Sequence, residues 1–172
     1  HILVEAYDLL KNVYQERGYR CRGIPRLILK NNLFGLEIDD RAAQLAAFAL
    51  MMKARERDAR FFRRDVQPDI CVMEDVSFTR QELDAYMDAV GRDLFTQDVK
   101  DWLQQFERAT TFGSLIRPLV KDTDFMRERL EKVGVFQDLF LSHTHEKLRA
   151  VLRMTDILGS RYHVVVANPP YM

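Results

Sequence analysis

The sequence predicts a helix-rich α/β fold of Rossmann-like type with few short, mainly parallel strands. Three observations carry that expectation. Apolar runs at residues 33–39, 69–75 and 162–167 are short, and each ends in a polar cluster. Helical patterns separate the runs, which implies parallel pairing. The stretch 79–158 repeats its apolar residues at helical spacing almost throughout. In such sheets the ligand crevice lies beyond the carboxyl ends of the strands. Glu37 with Asp39, Glu74 with Asp75, and Asn168 to Tyr171 would all fall on that edge.

Each element has a local reason. Ile2, Leu3, Ala6, Leu9, Leu10 and Val13 make residues 1–17 an amphipathic helix that Gly18 ends. Pro25 suits the first turn of a short helix through Leu27, Ile28 and Leu29. After the first strand, Asp39 or Asp40 caps a helix running to about Arg60. The later helices are expected at 79–90, 96–109, 122–133 and 136–157, broken near Gly91, Gly113, Pro118 and Gly134. Residues 162–167 form a β-branched third strand.

The chain has 172 residues, enough for one domain, and its 26 Lys and Arg balance 26 Asp and Glu. Zero net charge excludes attraction of the whole molecule to nucleic acid, so only a local basic patch would serve. Cys21 and Cys71 are too few for a disulfide framework and lack zinc spacing, which points to a reducing cytoplasm. No apolar run reaches the roughly 20 residues that cross a bilayer, and no signal peptide is evident. The abrupt start at His1 and stop at Met172 read as the ends of a piece cut from something longer.

Asn168-Pro169-Pro170-Tyr171, following an apolar run, is the strongest signal. Two prolines fix φ and remove two N–H donors, leaving a stiff turn with bare carbonyls. An Asn oxygen and a proline carbonyl can accept both hydrogens of an exocyclic amino group. A tyrosine ring beside them offers a stacking platform for a base. The competing reading is a proline-rich turn that merely ends a strand.

On these residues the chain resembles the amino-methyltransferases that use S-adenosylmethionine, whose signature is this Asn-Pro-Pro-Tyr motif. The stretch 33–46 is similar to the second strand and helix of the adenine-N6 DNA methyltransferases. With segments 23–29 and 74–78, the whole chain most resembles the PglX-type methyltransferases of BREX phage-defence systems. The resemblance implies S-adenosylmethionine as cofactor, with contacts from Glu37, Ile38, Glu74 and Asp75. Glu37 would accept hydrogen bonds from the ribose hydroxyls, a task for a group with only acceptors. Its competing role is helix capping, for which Asp39 or Asp40 is better placed. Glu74 or Asp75 would lie near the cofactor adenine.

It further implies that Asn168 and the Pro169 carbonyl hold the target amino group while Tyr171 stacks on an adenine flipped from double-stranded DNA. Transfer to nitrogen would be direct, without metal or covalent intermediate. Other defence-system subunits are implied partners; no membrane is. Residues 1–75 and 162–172 would be core elements of the methyltransferase domain, and 79–158 a helical insertion. The family's first strand and Gly-rich cofactor loop would precede His1. Residues 1–172 alone are therefore expected to bind cofactor weakly or not at all and to be inactive.

Two rivals stand beside this reading. Protein-glutamine N5 methyltransferases share the motif, but usually place it soon after the third strand; here the whole 79–158 stretch intervenes. A non-catalytic helical interaction module of a defence complex is the other. Cytosine-N4 modification fits less, since that group more often carries Ser-Pro-Pro-Tyr. His143 and His145 lie two apart, on different helix faces, and do not converge on a metal; Ser142 or Thr144 reads as a helix cap there. The basic residues Lys53, Arg55, Arg57, Arg60, Arg63 and Arg64 interleave with Glu56, Asp58 and Asp65 and read as a solvated helix end. Trp102, Leu103 and Phe106 read as core, and Phe61-Phe62 as a helix-end anchor.

Overall fold

The computed structural model describes residues 1–91, 97–120, 123–132 and 138–167. They form two compact units, one of His1–Val72 with the described residues from Tyr162 on, the other of Met73–Arg161.

The first unit is a βαβ layer. Helix α1 (Ile2–Glu16) ends where Gly18 adopts φ 78°, a left-handed turn that glycine takes without strain. Helix α2 (Ile24–Asn31) carries Pro25 in its first turn. Strand β1 (Phe34–Glu37) leads into α3 (Asp40–Arg57), whose cap is Asp39, accepting from the Arg41 and Ala42 amides. A short 3-10 turn (Phe61–Arg63) precedes β2 (Asp69–Val72), and β1 and β2 pair in parallel with Glu37 opposite Val72. Tyr7, Ile28, Leu50, Ala54 and Phe61, all at 1% exposure or less, form one continuous core. Gly35 admits α1 to the sheet: a Cβ there would lie 3.1–3.2 Å from Ile70 and Leu3 side chains. Asp8 ties α1 to α3 through Lys53 at 2.5 Å.

The second unit is helical. It contains α4 (Arg80–Val90), α5 (Gln97–Gln104), α6 (Ala109–Phe112), a 3-10 turn (Gly113–Leu115), α7 (Asp124–Lys132) and α8 (Leu139–Gly159). Thr79 and Glu82 form a reciprocal capping box at the start of α4. Trp102, fully buried, donates its indole N–H to the Thr155 hydroxyl at 2.9 Å and meets Phe106 edge-on.

Several expectations need correction. Both strands are four residues long, so Glu74 and Asp75 lie past β2 rather than in it. Helix α3 stops at Arg57, and the expected 96–109 helix is divided into α5 and α6. Residues 162–167 do not form a strand. Tyr162 packs its ring 5.5 Å from Phe34, but Val164, Val165 and Val166 are 65–77% exposed and no described strand pairs with them. β-branched composition favours a strand only where a partner edge and a packed face exist. The α8 cap is Asp138, not Ser142 or Thr144; Thr144 is buried inside the helix and donates to the Phe140 carbonyl.

Candidate functional site

The carboxyl edge of β1 is where the first unit concentrates exposed acids. Glu37 ends the strand half-buried, and its Oε1 accepts the amides of Ile38 at 2.9 Å and Asp39 at 3.3 Å. Those bonds steady the carboxylate and leave Oε2 without an intramolecular partner among the described residues. Asp39 spends its carboxylate on the α3 amides, so the two acids have separate work. Ile38 stands between them at 60% exposure. An oriented carboxylate with one oxygen unengaged, beside an apolar side chain, suits a ligand with hydroxyl donors next to a flat ring.

In the second unit, Met73 and Val76 are buried and hold the chain between them, while Glu74 and Asp75 are exposed. The Val76 amide donates to the Phe106 carbonyl at 2.9 Å. Asp75 Oδ1 accepts the Thr110 amide at 2.8 Å, and the Thr110 hydroxyl lies 2.8 and 2.9 Å from its two oxygens. The Thr110 amide, followed by its hydroxyl, holds the Asp75 carboxyl below the ordinary carboxylate range. Glu74 has no such engagement. Thr110 went unnoticed in the sequence because nothing in a Thr-Thr pair marks a partner 35 residues away.

Asn168, Pro169, Pro170 and Tyr171 lie outside the described residues. Among the described residues no group of His, Cys, Asp and Glu is placed to hold a metal. His143 is exposed, while the His145 Nδ1 lies 2.7 Å from the Tyr86 hydroxyl. Cys21 is exposed and Cys71 buried, and neither is in a disulfide among the described residues.

A helix-rich α/β fold with a two-stranded parallel sheet, its first strand ending in an oriented acid, is the class that the described residues define. Residues 31–172 match the Eco57I restriction-modification methylase family, and the chain belongs to that family. It is 40% identical over 196 residues to the adenine-specific methyltransferase BrxX of Escherichia coli O9:H4 (strain HS), covering 100% of this chain and 16% of that protein. It is 33% identical over 179 residues to the adenine-specific methyltransferase PglX of Lacticaseibacillus casei (strain Zhang), covering 100% of this chain and 15% of that protein. The chain thus spans about one sixth of the length of these relatives.

Proposed function

We propose that the intact protein containing this chain is an S-adenosylmethionine-dependent DNA methyltransferase that modifies adenine at N6, in restriction-modification or phage defence. The observation that carries the reading is Glu37, oriented by its own turn at the carboxyl end of β1, inside a family match that runs on through the Asn-Pro-Pro-Tyr motif. Both adenine-specific relatives align along the whole chain, which adds support.

In this reading β1, α3 and β2 are part of a Rossmann-like sheet, and residues 79–158 are a helical insertion. The unengaged oxygen of Glu37 fits a ribose diol, and Ile38 would lie against the cofactor's flat base. Glu74 is the better acid for the adenine amino group, because Thr110 already occupies Asp75. Bound there, the cofactor supplies an electrophilic methyl group. Asn168 and the Pro169 carbonyl accept the two hydrogens of the target amine, Pro170 stiffens the turn, and Tyr171 stacks on a base flipped from the duplex. Holding the amine in line is the larger part of the catalysis. The described helices include none long and apolar enough to cross a membrane.

Asn168→Ala in the intact protein tests the reading. The expected result is loss of N6-methyladenine from cellular DNA with the protein still assembling normally. Persisting methylation contradicts the role of Asn168. Lost assembly would favour the interaction-module rival.

A further inference from the structure

We infer that the first unit carries a second contact surface for duplex DNA, an arginine patch at the end of the sheet opposite Glu37 that takes backbone phosphates. The inference rests on the methyltransferase reading for the presence of DNA, but not on any residue of the candidate site. Helix α3 starts beside the carboxyl end of β1 and, at 18 residues, runs about 27 Å back along the sheet. The turn Phe61–Arg63 and the approach to β2 therefore lie at the amino edge.

Asp58 organises that edge. It is 1% exposed, accepts the Arg60 amide at 3.1 Å and pairs with Arg64. Arg22, from the turn between α1 and α2, adds its charge to the same carboxyl. One buried acid thus binds Arg64 and feels the charge of Arg22 from a segment far apart in sequence. The interleaved acids that made this run look like an ordinary solvated helix end are largely spent. Asp58 is turned inward, and Glu56 acts on Lys53, which is already bonded to Asp8.

Arg60 and Arg63 are exposed, as is Arg20, which stands two residues before Arg22 in the α1–α2 turn, and none of the three makes an ion pair among the described residues. Asp65, and Asp69 at the start of β2, are the exposed acids on that stretch. The chain's net charge is zero, so this surplus is local. Clustered guanidinium groups repel one another until a polyanion arrives, and their planar forks match phosphate oxygens. A span of about 27 Å equals about eight base pairs at 3.4 Å each, within reach of one duplex lying along the unit.

The test replaces Arg20→Gln, Arg60→Gln and Arg63→Gln together in the intact protein, leaving Arg22 and Arg64 to hold Asp58. Binding to a duplex of about 40 base pairs is titrated with salt. Three lost phosphate contacts should lower the slope of log affinity against log salt by about 3. An unchanged slope overturns the inference, whether the surface then serves an acidic protein or only solvent. Methylation by the unaltered protein is assayed separately. Its absence would end the enzyme reading, while a lowered slope would still support the patch.

Discussion

In the first unit Tyr7, Ile28, Leu50 and Phe61 pack on one another across three helices and a sheet, and apolar burial is the main bond between elements. The second has an apolar core of its own, with Tyr86, Trp102, Phe106, Leu148, Val151 and Met154 buried, and its helices are joined at polar points as well. Lys147 of α8 bonds Glu82 of α4 at 2.7 Å, His145 meets Tyr86, Thr155 takes the Trp102 indole, and Asp156 pairs with Arg127 and accepts from Thr123. An apolar core has no titration in the neutral range. Charged and imidazole links between helices do, so the two regions should answer differently to pH.

The largest expected effects come from core truncations, and they should separate the units. Phe61→Ala removes a fully buried ring and should cost roughly 3–5 kcal/mol, with amide exchange rising in α1, α2 and α3. Trp102→Ala should cost a similar ~3–5 kcal/mol and loosen α5 and α8 instead, since the Thr155 hydroxyl loses its donor. Equal loosening of both units by either change would mean that they unfold as one body.

The pH response comes next. Burial, then the charge of Arg149, holds the His145 pKa below its ordinary 6.5. The unfolded chain therefore takes up this proton first. Stability from neutral His145 is complete above about pH 6.5 and falls as pH drops from there toward the folded value. Glu82 is shifted from 4.5 down to about 2, first by the Lys147 bond and then by the Thr79 amide. Its contribution is complete above 4.5 and is lost as pH falls toward 2. Protection of amides in α4 and α8, corrected for the intrinsic pH dependence of exchange, should thus fall between pH 7.5 and 5.5 while that of α1 and α3 stays unchanged. A matching loss of protection in the first unit over that window would contradict the contrast.

Smallest are the caps. Asp39→Ala and Thr79→Ala should each cost about 1 kcal/mol, one fraying the start of α3 and the other the start of α4. Differential exchange of the first-turn amides would show which helix answers.

Much of the first unit could be read directly. The 3.6 period of α1, Gly18, Pro25 and the Asp39 cap are local signals, and the local structure obeys them. Residues 162–167 misled because β-branched composition says nothing about whether a partner edge is present. The Thr79-x-x-Glu82 spacing was a legible cap signal that the helical pattern alone did not use. The Glu82–Lys147, Tyr86–His145 and Asp75–Thr110 contacts join residues 65, 59 and 35 positions apart, and no periodicity encodes such pairs. Within the candidate site, the acid at the end of β1 was visible. That Thr110 takes Asp75 and leaves Glu74 outward needed coordinates.

In the proposed function Glu37 is the anchor for a ribose. Cofactor affinity of the intact Glu37→Gln protein, measured by calorimetry against the unaltered protein, addresses that directly. Loss of a charge-assisted hydrogen bond of ~1.5–3 kcal/mol predicts a dissociation constant raised roughly 10- to 150-fold. An unchanged constant, with α1, β1 and α3 intact by exchange, would place the cofactor elsewhere.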